Sequence, residues 1–173
     1  MRILLLITFL TCNIVSSLCA QAIPWAKVGT QKNIESLRFE SFHISASEPI
    51  TTYGYRLCRF LTPSLYWGAA CHSGILGIRG GWFTGGLIGG YTSNLGDSPL
   101  IYDISGFFGG GGGGGAPQGG GMMGKAEVSV GWRVNPAIEA LASTGYNHFF
   151  NGAISSPYLG FEIRNIFYEL DDR

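Results

Sequence analysis

The chain has 173 residues, with eleven basic side chains against eleven acidic ones and a formal net charge of zero. That balance argues against a nucleic-acid partner, which calls for a basic surface. Charged residues are only 13% of the total, about half the share usual in soluble domains; glycine and aromatics are abundant, and a surface so poor in charge suits lipid better than water.

At the N-terminus, Met1-Arg2 is followed by the apolar run Ile3 to Leu10, then by small and polar residues, and Ala20-Gln21-Ala22 fits an A-x-A cleavage pattern. This is the layout of a secretory signal peptide, so residues 1–22 are set aside and 23–173 are expected to form a single domain. The apolar run is too short for an uncleaved anchor, since spanning takes about 20 residues. Leu18 before Cys19 fits a lipoprotein signal poorly.

Strand-length runs follow, separated by turn chemistry. Residues 34–45 are weakly patterned. Residues 50–61 alternate Tyr53, Tyr55 and Leu57 against Thr52, Gly54 and Arg56, and a turn at Thr62-Pro63 leads into 64–72. That hairpin sets Cys58 opposite about residue 67, leaving Cys71 roughly 13 Å further along, beyond the reach of a disulfide. The glycine-rich 75–92 segment reads as a fourth strand. A helical reading of 74–92 fails because each of its glycines costs about 1 kcal/mol in a helix and Arg79 interrupts it.

After the turn "SNLGDSP", residues 100–108 place Leu100, Tyr102, Ile104 and Phe108 on one face and Asp103 and Ser105 on the other. A glycine-rich loop is expected at about 109–121. Residues 123–134 alternate Lys125, Glu127, Ser129 and Arg133 with Ala126, Val128, Val130, Trp132 and Val134, so the strand has one wet and one greasy side. "NPA" turns into 138–149, and after "FNGAISSP" the last run, 158–168, alternates Leu159, Phe161, Ile163 and Phe167 with Gly160, Glu162 and Arg164.

Eight strands with short turns at one end and the glycine tract and 150–157 at the other match the asymmetry of outer-membrane barrels. The expected fold is all-β, an eight-stranded antiparallel transmembrane β-barrel. The interior of so small a barrel is filled by side chains. Arg56, Asp103, Lys125, Glu127, Arg133, Glu139, Glu162 and Arg164 are expected to fill it as opposite-charge pairs, with Arg133 and Glu139 paired beside "NPA". Tyr53, Tyr102, Trp132 and Phe167 then face outward. The alternative is a soluble periplasmic ligand-binding β-barrel with the apolar faces turned in.

Three short patterns invite a chemical reading. Gly119-x4-Gly124-Lys125 has the skeleton of a phosphate-binding loop, but Ala126 stands where a hydroxyl must meet magnesium and a strand follows instead of a helix. A flexible surface loop accounts for it; an extended hairpin is the alternative, since glycine allows very close backbone approach. His72-Ser73 could suggest a base and its nucleophile, but adjacent strand residues point to opposite faces, and the pair is read as loop-end polarity.

The third is "YNHFFNGAISSPYLGFEIRNIFY", residues 146–168. It resembles the C-terminal strand pair of the lipid A deacylases, eight-stranded outer-membrane barrels that cleave an acyl ester from lipopolysaccharide. Their H-x-S-N motif, with a Glu about fourteen residues after the His, is matched by His148, Asn151 and Glu162, while Phe150 occupies the position of the serine. The resemblance implies His148 as base and Glu162 as the group orienting it, in a site that lacks its nucleophile. Without a hydroxyl no acyl-enzyme forms, unless Ser155 or Ser156 folds back onto His148. Alternation also sets His148 and Glu162 on opposite faces, so that only a bulge would join them.

The expected role is accordingly non-enzymatic: a membrane-structural or surface-interaction protein of the Gram-negative outer membrane, in contact with outer-membrane lipid including lipopolysaccharide. A divergent lipid A deacylase-like ester hydrolase is the enzymatic alternative. No cofactor and no metal site are expected.

Overall fold

A computed structural model describes residues 30–77 and 81–170; the signal-peptide assignment, Arg79 and the residues after Leu170 lie outside the described residues. Eight strands, β1 (Thr30–Ser45), β2 (Glu48–Phe60), β3 (Leu65–Leu76), β4 (Phe83–Asn94), β5 (Leu100–Gly112), β6 (Met122–Arg133), β7 (Ile138–Phe149) and β8 (Ser155–Leu170), form one closed antiparallel barrel. Each strand pairs with its sequence neighbour, and β1 closes on β8 from Thr30↔Leu170 to Phe42↔Tyr158. The end carrying Thr30 and Leu170 is called the inner end below.

The expected strand positions hold, with two corrections. The 75–92 segment is not one strand. Gly74 to Leu76 complete β3, and β4 begins only at Phe83. The glycine tract is less of a loop than expected, because Gly109 to Gly112 continue β5 opposite Phe83 to Gly86. Only glycine allows this approach: Gly111 has φ +148°, and a Cβ there would lie 2.1 Å from the Phe83 carbonyl oxygen. Among the fully described connections, the contrast between long outer loops and short inner turns therefore shrinks to 113–121.

Period-two alternation decides which way each side chain points. Inside, three layers stack along the barrel axis. At the outer end Phe42, Ile50, Trp82, Met123, Phe149 and Ile154 are buried, with the Trp82 ring 6.0 Å from Phe42 and 5.6 Å from Phe149. The middle layer is charged. Toward the inner end Ile34, Cys58, Phe60 and Ile166 are buried.

The outer surface is the greasy one. Val130 is 66% exposed, Leu87 60% and Leu159 70%. Trp67, Tyr91, Tyr102 and Trp132 lie toward the inner ends of β3 to β6, and Phe83, Phe108, Tyr146 and Phe150 toward the outer ends of β4, β5 and β7. Aromatic bands of this kind flank the apolar belt of membrane barrels.

Cys58 and Cys71 are both free. Cys58 pairs with Gly68 and points inward, whereas Cys71 pairs with Tyr55 and points outward. Both the three-residue offset along β3, roughly 10 Å, and the opposite faces keep them apart.

Candidate functional site

The charged middle layer is built from residues that alternation turns inward on every strand except β4. Arg56, Glu162 and Arg164 are each 0% exposed. Glu162 accepts hydrogen bonds from Arg56 and, at 3.1 Å, from Arg164 Nε. Arg164 Nη2 also donates to Asp103 at 3.1 Å, and Tyr66 donates to the same carboxylate at 3.0 Å. Higher up, Arg38 donates to Glu127, which also accepts the Tyr158 hydroxyl at 2.5 Å. Lys125 Nζ donates to Glu40 at 2.5 Å, and His72 Nε2 lies 3.4 Å from both. Such charges are tolerated out of water only when paired and hydrogen-bonded, and the barrel closes four carboxylates onto four buried cations in this way.

Seven of the eight expected interior charges are buried in that layer or at its edge. The eighth, Arg133, stands at the inner mouth with a partly exposed side chain and donates to Glu139 at 2.9 Å, the expected pair. Arg38, Glu40 and His72 were not anticipated as interior residues. Ser36, Arg38 and Glu40 do alternate with Glu35, Leu37 and Phe39 in the sequence. The signal is masked because Glu35, Ser41 and His43 make the outward face of β1 polar too. His72 is not loop-end polarity: it is a buried residue of β3, opposite Gly54, where a Cβ would lie 2.6 Å from its ring. Ser73 points the other way, as expected. Lys125 of the phosphate-loop skeleton points into the barrel, onto Glu40, and Gly124 is in β6.

The residues matched to the lipid A deacylases separate into two groups. His148 is exposed on the outward face near the top of β7, opposite Ser155 at the start of β8. Glu162 is opposite Leu141, seven rungs down and inside the barrel. The β7–β8 register runs without a bulge, so Glu162 orients Arg56 and Arg164, not His148. Phe150 stacks edge-on against His148 at 5.3 Å and lies 6.1 Å from Phe108. Asn151 is an exposed loop residue whose carbonyl packs against Gly119. Ser156 points inward and accepts a bond from the His43 amide at 3.1 Å. Ser155 does meet the histidine: its hydroxyl is 2.7 Å from His148 Nδ1.

A closed eight-stranded antiparallel barrel with a charged interior and an apolar girdle is the architecture of small outer-membrane barrels. Among solved structures the chain is similar to neisserial surface protein A (NspA), at 12% identity and a TM-score of 0.58 over 80% of this chain and 99% of that one. It is similar also to the N-terminal β-barrel domain of Pseudomonas aeruginosa OprF, at 13% identity, TM-score 0.52, and 76% and 97% coverage. A de novo designed transmembrane β-barrel matches at 11% identity, TM-score 0.53, and 82% and 98% coverage. These likenesses show the fold. No protein-family model and no curated protein matches the chain, and none of these three structures bears on the deacylase resemblance.

Proposed function

We propose that the chain is exported, loses residues 1–22, and resides in the outer membrane of a Gram-negative cell as a non-enzymatic structural or surface-interaction protein in contact with outer-leaflet lipid, including lipopolysaccharide. The observation that carries this reading is the inverted distribution of polarity: paired charges inside, and Leu87, Ile104, Val128 and Leu159 exposed outside. A soluble barrel would present that apolar surface to water, where patches of such extent promote association. The interior supports a structural role over a conduit, because ion pairs fill the middle and the Trp82–Phe149 layer covers the outer end. The test is membrane fractionation combined with gel migration before and after boiling. A heat-modifiable band in the outer-membrane fraction supports the reading, and recovery in the soluble periplasm sinks it.

A second reading, an ester hydrolase acting on an outer-leaflet lipid, draws support from one contact, the 2.7 Å approach of Ser155 Oγ to His148 Nδ1. A nucleophile within hydrogen-bond reach of its base is the geometry such chemistry needs. Here Ser155 would supply the hydroxyl absent at Phe150, with no carboxylate behind the histidine among the described residues. Mass spectra of lipid A from cells with and without the protein decide between the two. Loss of an acyl chain that disappears in both Ser155→Ala and His148→Ala would establish the hydrolase, and an unchanged spectrum leaves the structural reading.

A further inference from the structure

The inner end of the barrel is not filled. A cavity of about 360 Å³ opens there, walled by Lys32 of β1, by the connections after β2 and β4, by the inner end of β4 and by Ile166 of β8. Its charged groups are Lys32, Arg133 and Glu139. Glu139 is already answered twice, by Arg133 at 2.9 Å and by Arg164 Nη1 at 3.6 Å. Arg164 also donates to Thr92 on the cavity wall at 3.3 Å, so the ion-pair layer closes the floor and the cavity is blind.

Lys32 is within electrostatic range of Glu139 but forms no contact pair with it. It is half-buried, its ammonium sits 4.0 Å above the centre of the Phe60 ring, and among the described residues it makes no hydrogen bond or ion pair. Arg133 is held in place through Nε and Nη2 by Glu139 and Asn94, which leaves Nη1 without a hydrogen bond among the described residues. Two cationic donors thus converge on a pocket whose one carboxylate is spoken for, beside an apolar wall of Phe60 and Ile166. The rest of the lining is largely polar, from Ser64, Thr92, Ser93 and Asn94, and the volume falls in the range of roughly 300–1,000 Å³ usual for a small-molecule site.

We infer that this inner-mouth pocket binds a small molecule bearing a single carboxylate or phosphate head, with Lys32 and Arg133 on the anion and the rest of the ligand against Phe60 and Ile166. The inference goes beyond the structural role proposed above and rests on the pocket alone. Charge-assisted hydrogen bonds to a carboxylate or phosphate are the stronger class, which makes Lys32 the residue whose loss should matter most.

The test is titration of the folded chain in detergent micelles with inorganic phosphate and, separately, with N-acetylalanine, following the backbone amides of Ser64, Ser93 and Gly96 by NMR. Saturable shifts with at least one probe are expected. Lys32→Ala should weaken them roughly tenfold or more, and Lys32→Arg should retain them. Arg59→Ala, a charge removed from the outward face, should change nothing. Saturation with phosphate alone, or with N-acetylalanine alone, tells the head group. Absence of saturation with both probes, or saturation undiminished in Lys32→Ala protein that still shows heat-modifiable migration, would overturn the inference.

Discussion

His148 and Glu162 belong to neighbouring paired strands yet occupy opposite sides of the barrel wall, the histidine outside beside Ser155 and the carboxylate inside between Arg56 and Arg164. Their substitutions should therefore behave in unrelated ways. Glu162→Ala leaves two buried guanidiniums without their shared partner, and breaking a buried pair from one side costs about 3–5 kcal/mol. His148→Ala removes a surface contact and should stay within about 0.5 kcal/mol. Urea unfolding of each variant in lipid vesicles gives both numbers, and equal effects would contradict the placement.

Leu87 stands near the middle of β4, 60% exposed on the outward face between Ala69 and Phe108. If that face meets lipid, Leu87→Arg should destabilise the barrel by about 2–4 kcal/mol in a bilayer, the cost of an arginine at the midplane of a membrane barrel. On a water-facing surface the same change would be close to neutral. Equilibrium unfolding from vesicles separates these outcomes.

Gly119 has φ +60°, and a Cβ there would lie 1.8 Å from the Asn151 carbonyl oxygen, while Ala153 N donates to Pro117 O at 2.9 Å beside it. The 113–121 connection is thus seated on the β7–β8 loop. Gly119→Val should unseat it, at a cost of about 1–3 kcal/mol, with faster amide exchange confined to the two loops. Gly120 has open space around its Cβ position, so Gly120→Ala should change stability by less than about 0.5 kcal/mol. Hydrogen exchange on the pair of variants checks both statements.

Cys58 is buried inside the barrel and Cys71 faces out, both as free thiols. In a bilayer a maleimide should label neither thiol of the folded protein, Cys58 being enclosed and Cys71 facing lipid where the reactive thiolate does not form, and both should react after unfolding. Migration of the unfolded chain on a gel should be the same with and without reductant. A reductant-sensitive band within the monomer would contradict the register of β2 against β3.

The division between what was readable in the residues and what was not follows the range of each interaction. Period-two patterning is local, so the runs ending up as β2 and β5 to β8, the inward direction of Lys125, Glu127 and Arg164, and the Arg133–Glu139 pair across a tight turn could be read from neighbours in the chain. The same patterning kept His148 and Glu162 on opposite faces without any knowledge of closure. It failed where both faces carry similar chemistry: on β1, whose outward Glu35 and Ser41 hid Arg38 and Glu40, and in the glycine-rich stretch, where residues without side chains carry no alternation to mark where β3 ends and β4 begins. Which carboxylate meets which cation across the interior was decided by closure of the barrel. Arg56 and Glu162 are 106 residues apart in sequence, Arg38 and Glu127 are 89, and Lys125 and Glu40 are 85. These partners are brought together across the interior by the register of eight strands acting at once, and no local stretch of sequence encodes that sum.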